Sequence, residues 1–398
     1  MSDWVEKRLG EVCTLQRGFD LPTRQRKKGD YPLISSSGCI DSQAEAKVFG
    51  PGVVTGRSGS IGSVFFIEKD FWPLNTALYV KDFHGNDPRF IFHLLSKFDL
   101  KRFASGAGVP TLNRNNVHSE IVYVPSKVSE QKRIVSIVDQ AFEGIDRAIA
   151  NTKKNLANAR ELFESYLNAI FLQKSDGWIE KKLSDICSIK HGFAFKGEFF
   201  TTEKANYILL TPGSFYESGG YRKQGEKTKY YIGEIPSEFI LNKGDFLFAM
   251  TEQAVGLLGS SLIVPESDKF LHNQRLGLVQ IVNNVEWHND FFFHQFNTRS
   301  FRTAVQSSAS GVKVRHTSPN KLGAVSVYFP PTIVEQKAVA DTLNELYAET
   351  QQLKAIYQQK LAALTELKQS ILQKAFTGEL TADTANQTTK KAEEAIAA

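Results

Sequence analysis

"EQKRIVSIVDQAFEGIDRAI" occupies residues 130–149, and "EQKAVADTLNELYAETQQLK" occupies residues 335–354. One helix opening is written twice in one chain. With Glu335 laid over Glu130, an offset of 205 residues, the match runs without a gap to Phe376 over Phe171, and upstream Pro330 falls on Pro125. In the first copy apolar or small residues recur at Ile134, Val138, Ala141, Ile145, Ile149, Leu156, Ala159, Phe163, Tyr166 and Ile170, with Thr152 in the one gap. In the second they fall at Val339, Leu343, Leu346, Leu353, Tyr357, Leu361, Leu364, Leu367 and Ile371. Steps of three and four alternate, which is the seam of a coiled coil with a period near 3.5 residues. Neither stretch contains proline, and each opens on a glutamate suited to the positive end of the helix dipole. About forty residues at about 1.5 Å each predict a rod of roughly 60 Å. A lone helix with such a seam needs a partner, and the obvious one is the other copy. The first helix leaves one half of the chain and enters the other. If the two lie side by side, the second must return, so the expected pair is antiparallel.

The repeat extends beyond the helices. "WVEKRLGEVCTLQRGF" from Trp4 matches "WIEKKLSDICSIKHGF" from Trp178 at an offset of 174, with Trp, Glu, Lys, Leu, Cys, Gly and Phe in register. The two offsets differ by 31, so the second copy carries about 31 extra residues between its opening and its helix. The middles are related more loosely. "NDPRFIFHLLSKF" from Asn86 and "NDFFFHQFNTRSF" from Asn289 align at an offset of 203, as do "SGAGV" from Ser105 and "SASGV" from Ser308. Short β-like runs such as "GSVFFIE", "TALYVKD", "EIVYVP", "DFLFAMT", "SLIVP" and "AVSVYFP" are bounded by Gly, Pro and Asn, and helical patterns sit at 87–103 and 289–306. The fold class is therefore α+β: two tandem domains of mixed α/β structure joined by two long antiparallel coiled-coil helices, with pseudo-two-fold character. The expected boundaries are a first domain over 1–129, a helix over 130–173, a second domain over 174–334, a helix over 335–378, and a disordered polar tail over 379–398.

Composition narrows the function. The 398 residues are 41% apolar and 23% charged, ordinary for a globular protein. A net charge of +5 permits nucleic-acid binding without demanding it. Cys13, Cys39 and Cys187 form no CxxC pair, which points away from disulfides or zinc and toward a reducing cytoplasm. Cys13 and Cys187 hold equivalent places in the two copies and read as small buried core residues. The opening "MSDWVEKRLG" has no signal-peptide core, and no apolar run is long enough to span a membrane. No G-x-x-x-x-G-K-[ST] loop is present; "TGRSGSIG" ends without the lysine and reads as a tight turn. There is no HExxH, no histidine cluster at metal spacing and no G-x-S-x-G elbow. The Pro-Pro of "YFPPT" lacks the preceding Asn or Asp of an amino-methyltransferase motif. No catalytic, cofactor-binding or metal-ligating residue is assigned.

At these residues a family likeness emerges. The double W-x-E-K-x-L opening, the Gly-Phe pairs at Gly18-Phe19 and Gly192-Phe193, "GRSGSIG" with "FWPLNTALYV", "KGDFLFAMT" with "LHNQRLG", the two Pro-then-EQK junctions and the closing "QKAFTGEL" resemble the specificity subunits of Type I restriction-modification systems. The resemblance covers nearly the whole chain, from Trp4 to about Leu380. It implies two target-recognition domains separated by two conserved helices. Each domain would read one half of a split double-stranded DNA target. The helices would set the gap and dock two methyltransferase subunits, and restriction/translocase subunits would complete the complex. S-adenosylmethionine, ATP and magnesium would belong to those partners, not to this chain. Because the domains differ most in their middles, the expected target is asymmetric.

Base reading needs Arg, Lys, Asn or Gln forks on groove-facing loops, and phosphate contact needs cations and hydroxyls. In the first domain the candidates are Arg24, Arg26 and Lys27, Ser36, Arg57 with Ser58 and Ser60, Arg102, and Asn113 with Arg114. In the second they are Thr251 and Gln253, Gln274 and Arg275, Lys313, Arg315 and His316, with "YRKQGEKTKYY" as a further basic segment. Arg57, Arg114, Gln253, Lys313 and Arg315 stand out, because each lies in a polar or turn-like segment beside β-like runs. Tyr230 and Tyr231 read as packing residues. For the helix seam and partner docking the candidates are Glu130, Ile134, Val138, Ile145, Glu335, Val339, Leu343 and Leu346. The competing reading is a protein–protein adaptor, two binding domains on a coiled-coil spacer with no DNA role.

Overall fold

The computed structural model describes residues 4–106, 110–173, 177–253, 256–282 and 284–380. The chain divides into two compact units, Met1–Lys154 with Tyr357–Ala398, and Asn155–Ile356. The division falls inside both long helices.

The first unit runs β1 (Trp4–Arg8), α1 (Leu9–Val12), β2 (Thr14–Arg17), β3 (Tyr31–Ser35), β4 (Gly38–Gln43), β5 (Gly52–Gly56), β6 (Val64–Ile67), β7 (Trp72–Pro73), β8 (Ala77–Asp82), α2 (Pro88–Lys97), β9 (Ala104–Ser105), β10 (Thr111–Leu112), α3 (Arg114–His118) and β11 (Ile121–Pro125) into α4 (Val128–Gln173). A four-stranded sheet in the order β2-β8-β5-β6 stands beside a three-stranded one, β4-β3-β7. Antiparallel β1 and β11 close the unit, with Trp4 opposite Pro125.

The second unit repeats the plan. It runs β12 (Ile179–Lys182), α5 (Leu183–Ile186), β13 (Cys187–His191), β14 (Phe200–Thr201), β15 (Tyr207–Leu210), β16 (Tyr230–Tyr231), β17 (Ile240–Leu241), β18 (Phe246–Ala249), β19 (Thr251–Glu252), β20 (Ser261–Ile263), β21 (Phe270–His272) and β22 (Leu276–Ile281). Then follow α6 (Asn289–Phe296), α7 (Arg299–Ser307), β23 (Arg315–His316), α8 (Pro319–Gly323), β24 (Ser326–Phe329) and α9 (Ile333–Ala375). Its main sheet, β13-β22-β18-β20, has the order of the first unit's main sheet. Its second sheet has five strands, β14-β16-β15-β21-β17, where the first unit has three. The extra residues of the second copy fall mainly here. Tyr231 is buried among Phe195, Phe199 and Phe200, as a packing role requires.

The shared motifs now have physical reasons. In W-x-E-K-x-L the leucine, Leu9 or Leu183, opens a one-turn helix and is fully buried. The Glu11 carboxylate accepts from Arg8 N at 2.9 Å, and Asp185 accepts from Lys182 N at 3.1 Å, so each short helix has its own N-terminal cap. Cys13 and Cys187 are buried, and desolvation pushes each thiol up to about 12. A Cβ on Gly18 would lie 2.3 Å from the Leu74 carbonyl oxygen, and one on Gly192 2.3 Å from that of Asn273. Only glycine admits these close approaches, and the following phenylalanine then donates its amide to Pro73 O at 2.8 Å or His272 O at 2.9 Å.

Both long helices begin two residues before the EQK triplet, at Val128 and Ile333. The Thr332 hydroxyl meets Glu335 N at 3.3 Å and the Glu335 carboxylate at 2.7 Å, an N-terminal cap of the Thr-x-x-Glu kind. The glutamine of each triplet is a buried tie, not a surface residue. Gln131 Nε2 donates to Pro125 O at 3.1 Å and Asn86 Oδ1 at 2.7 Å, while its Oε1 accepts from Asp87 N at 2.9 Å. Gln336 Nε2 donates to Pro330 O and Glu286 O, each at 3.0 Å, and its Oε1 accepts from His288 N at 2.9 Å. A second tie lies two turns on. His93 Nε2 is 2.7 Å from Asp139, which also takes Arg89 Nε at 3.1 Å, and His294 Nε2 is 2.8 Å from Asn344. Burial holds both imidazoles below their ordinary range, against the opposing pull of these partners.

These ties correct the alignment of the middles. Asp87 corresponds to His288 and His93 to His294, a shift of two residues from the match of Asn86 with Asn289. Likewise Ser105 corresponds to Ser310, not Ser308, since Gly106 and Gly311 both hold positive φ, 112° and 99°. Similar letters in loops misled the match; the contact to the helix fixes the true register.

Within each unit the two long helices pair antiparallel. In the first, Lys368 Nζ bonds Asp146 at 2.6 Å and lies 4.6 Å from the Phe142 ring, and Ile145 shares a core with Leu364, Ile371 and Phe376. In the second, the Phe163 and Tyr347 rings meet at 5.2 Å, and Leu167 and Phe171 share a core with Ala340 and Leu343. Glu379 and Leu380 are not part of a loose tail: Thr377 Oγ1 is 2.9 Å from Glu379, and Leu380 is buried in the first unit's core. The remainder of the proposed tail, 381–398, lies outside the described residues.

Candidate nucleic-acid interface

In the first unit three chain segments converge where β5 ends. Gly56 closes the strand, and a Cβ there would lie 2.0 Å from Ser60 O. Gly59, with φ 82°, turns the chain. Arg57 N and Ser58 N both donate to Thr76 O, at 2.9 and 3.1 Å. Leu112 N donates to Arg57 O at 2.7 Å, and Ser58 bridges Thr111. Ser36 N reaches Thr76 Oγ1 at 3.3 Å from the turn between β3 and β4. This frame brings together the segments that carry Ser36, Arg57, Ser58, Ser60, Asn113 and Arg114. Arg57 Nη1 donates to Asn75 O at 3.4 Å. Asn113 Oδ1 accepts from Asn115 N at 3.0 Å and so caps α3, leaving Arg114 exposed at the helix start.

The second unit builds the same backbone frame. Met250 N donates to Arg275 O at 3.0 Å, Thr317 N donates to Met250 O at 3.0 Å, and Thr251 pairs with His316. Met250 therefore stands where Arg57 stands, and Arg275 where Thr76 stands. Met250 is buried and Arg275 exposed, so the cation moves from one segment to another on an unchanged scaffold. Thr251, Gln253, Gln274, Arg275, Lys313 and His316 gather at this frame, with Gln274 N bonded to Phe193 O at 3.0 Å.

A buried network that the sequence did not announce holds the loop bearing Gln253. Glu252 accepts from Gly256 N at 3.0 Å and Leu258 N at 2.8 Å, and it pairs with Arg315 Nη1 at 3.1 Å. Arg302 donates to Leu258 O at 3.1 Å, Glu217 O at 2.9 Å and Asn297 Oδ1 at 3.3 Å, and also to Gly256 O. Desolvation lowers the Arg302 guanidinium to about 10, so it stays charged at neutral pH. A charged side chain so deeply buried persists only where its donors are satisfied. Arg302 reads from sequence as an ordinary helix-surface residue, because a buried carbonyl cluster has no sequence signature.

Other candidates lie elsewhere or are engaged. Arg24, Arg26 and Lys27 sit beside the Tyr31–Gln43 end of the β3–β4 hairpin, opposite the end that carries Ser36. There Arg26 Nε is 3.4 Å from Leu21 O. Arg102 borders the frame, but its guanidinium pairs with Glu120 and lies 4.5 Å from the Phe103 ring. Arg315 holds Glu252 and donates to Gln306 O at 2.6 Å, so it anchors the frame from within. Among the helix candidates, Ile134, Val138, Ile145 and Leu343 are fully buried, while Val339, Leu346 and Glu130 are half-buried and Glu335 is exposed. The four buried residues present no surface to a partner subunit; they hold this chain's own cores. The apolar residues left uncovered on the long helices include Leu162, Tyr166, Leu353 and Ile356. No described helix is long and apolar enough to cross a membrane.

Comparison with known proteins agrees with this duplicated arrangement. A family model for the Type I restriction modification DNA specificity domain matches residues 1–158 and again 175–363. The chain is 27% identical over 238 residues to the Type I restriction enzyme EcoBI specificity subunit of Escherichia coli, covering 60% of this chain and 46% of that protein. It is 20% identical over 212 residues to the EcoKI specificity subunit of Escherichia coli strain K12, covering 52% and 44%. The chain thus spans about half the length of these relatives. Among solved structures, one described as the structural basis of complex assembly and conformational transition of the type I R-M system superposes with a TM-score of 0.72 at 16% identity, covering 95% of this chain and 98% of that one. The HsdS subunit from Thermoanaerobacter tengcongensis superposes with a TM-score of 0.55 at 17% identity, covering 95% and 97%. At these identities the structures speak for the fold.

Proposed function

The chain belongs to the Type I restriction modification DNA specificity domain family, and from that premise we propose that it is the DNA-reading subunit of a restriction-modification complex. Each unit reads one half of a split, asymmetric double-stranded target. The single observation that carries this reading is the duplicated frame, with one backbone hydrogen-bond pattern and different side chains upon it. Arg57 and Thr76 of the first unit are replaced by Met250 and Arg275 in the second. A fixed scaffold with exchanged cations and amides suits two readers of unlike base patterns, since guanidinium groups read guanine and carboxamides read adenine in the major groove.

The chain itself is non-catalytic in this reading. Methyltransferase subunits with S-adenosylmethionine, and restriction subunits using ATP and magnesium, supply the chemistry in the cytoplasm. Their docking surface includes the uncovered apolar residues of the long helices, Leu162, Tyr166, Leu353 and Ile356. The antiparallel helices set the gap between half-sites, in the manner of dimeric readers whose half-site centres are spaced by about 34 Å or multiples of it.

Arg57→Ala provides the direct test. The full chain, with its methyltransferase partner, is titrated with its selected target and with an unrelated duplex at several salt concentrations. Loss of about tenfold on the target alone is the expected result for a base contact, whereas a uniform loss with a salt slope reduced by about 1 marks a phosphate contact. Unchanged binding at every salt concentration removes Arg57 from the interface. Salt-insensitive binding of the wild type, with no sequence preference, favours the protein–protein adaptor instead.

A further inference from the structure

We propose that the hairpin closed by Ser310 and His316 is a base-reading probe, and that Val312 at its tip contacts the 5-methyl group of a thymine in the major groove. The inference rests on the DNA-reading function above and adds to it an apolar determinant. Ser310 and His316 exchange both backbone hydrogen bonds, at 3.0 and 2.8 Å. Gly311, with φ 99°, makes the turn, and a Cβ there would lie 2.1 Å from Val314 O. The base of the hairpin is fixed on three sides. Arg315 and His316 pair with Glu252 and Thr251, the Arg315 guanidinium reaches the buried Glu252 and Gln306 O, and Lys321 Nζ is 3.3 Å from Ser310 Oγ.

On this braced base Val312 is 99% exposed, with Lys313 exposed beside it. Val312 packs nothing in its own unit, so its place is not explained by the core. A β-branched side chain is stiff at χ1, so little rotamer freedom is lost on contact. Thr251, on the strand paired to the hairpin, and Arg275, bonded through Met250, place the candidate reading face next to it.

The first unit has the same closing pair and the same glycine after it. Ser105 pairs with Thr111, and Gly106 holds φ 112°. The sequence has Ala107 and Gly108 at the positions of Val312 and Lys313; residues 107–109 lie outside the described structure. The same closing pair followed in sequence by unlike residues is what two unlike half-sites require. The major groove admits a two-stranded β-ribbon and displays the thymine methyl. The side chains wedged into the minor groove are typically Phe, Leu, Ile, Met or Pro, a set without valine. Valine on a ribbon therefore points to methyl reading.

The test uses the full chain with its methyltransferase partner and a target selected from a random duplex pool. Each thymine of the half-site is replaced singly by deoxyuridine, which removes only the methyl group. At one position the wild type loses about three- to fivefold in affinity, the scale of one buried methyl group. Val312→Ala loses a similar factor on the thymine duplex and shows no further loss with deoxyuridine at that position. Val312 is exposed, so this substitution leaves folding intact, as the unchanged thermal melt verifies. If the wild type discriminates its target but no deoxyuridine position couples to Val312→Ala, the inference is overturned and the reading function stands. If the wild type does not discriminate its target, both fall together.

Discussion

Ile145→Asp and Leu343→Asp each strongly destabilise the unit that contains them. Both side chains are fully buried, Ile145 with Leu364 and Ile371, Leu343 with Leu167 and Phe171. An aspartate there either carries an unpaired charge into an apolar core or binds a proton to avoid doing so. It also loses the transfer and packing energy of the hydrocarbon it replaces. The combined loss is about 4 kcal/mol or more, against a total stability of order 5–15 kcal/mol for a domain. Chemical denaturation of the purified variants measures it. Leu162→Asp and Leu353→Asp, at exposed positions on the same helices, shift stability by about 0.5 kcal/mol or less. Equal denaturation midpoints for Ile145→Asp and the wild type would show that the helix seam is not part of a core.

The second large effect is at the glutamines. Gln131→Leu keeps the volume but strands Pro125 O, Asn86 Oδ1 and Asp87 N, and Gln336→Leu strands Pro330 O, Glu286 O and His288 N. A buried group left without its partner costs about 1–3 kcal/mol, so each variant loses roughly 3 kcal/mol after partial relaxation. Hydrogen exchange gives a site-specific readout. The Asp87 amide in Gln131→Leu and the His288 amide in Gln336→Leu exchange faster than in the wild type, while amides in the β2-β8-β5-β6 and β13-β22-β18-β20 sheets change less. Unaltered exchange at both amides would deny the glutamines their role in joining helix to domain.

These two predictions mark where the sequence was informative and where it was silent. The helix seam was legible, because apolar spacing is a one-dimensional shadow of a helix face. The strands at "TALYVKD" and "DFLFAMT" were legible for the same reason, and the doubled openings disclosed the doubled fold. Gln131 and Gln336 were not. A glutamine in the first turn of a helix reads as solvent-facing, and its burial depends on an approaching backbone from a distant segment. The loose alignment of Asn86 with Asn289 failed similarly, since the true register is set by which amide the glutamine meets.

The candidate interface was partly legible. The criterion of polar or turn-like segments beside strands favoured Arg57, and the wider candidate list held Ser58 and Arg275; the backbone brings these to equivalent frames. The same criterion also favoured Arg315, whose guanidinium is held within the protein, and basic character put forward Arg24, Arg26 and Lys27, at the other end of a hairpin, and Arg102, which pairs with Glu120. A search confined to polar and cationic types passed over Val312, because nothing in a sequence distinguishes a valine on a braced, exposed tip from one in a core.

The most direct test of the central claim is selection of targets from a random duplex pool by the full chain with its methyltransferase partner, followed by affinity measurement at several salt concentrations. The account predicts enrichment of one split sequence with two unlike half-sites at a fixed gap, bound with an affinity that falls linearly with salt on logarithmic axes. Recovery of no preferred sequence, or of a symmetric one made of identical halves, would contradict it.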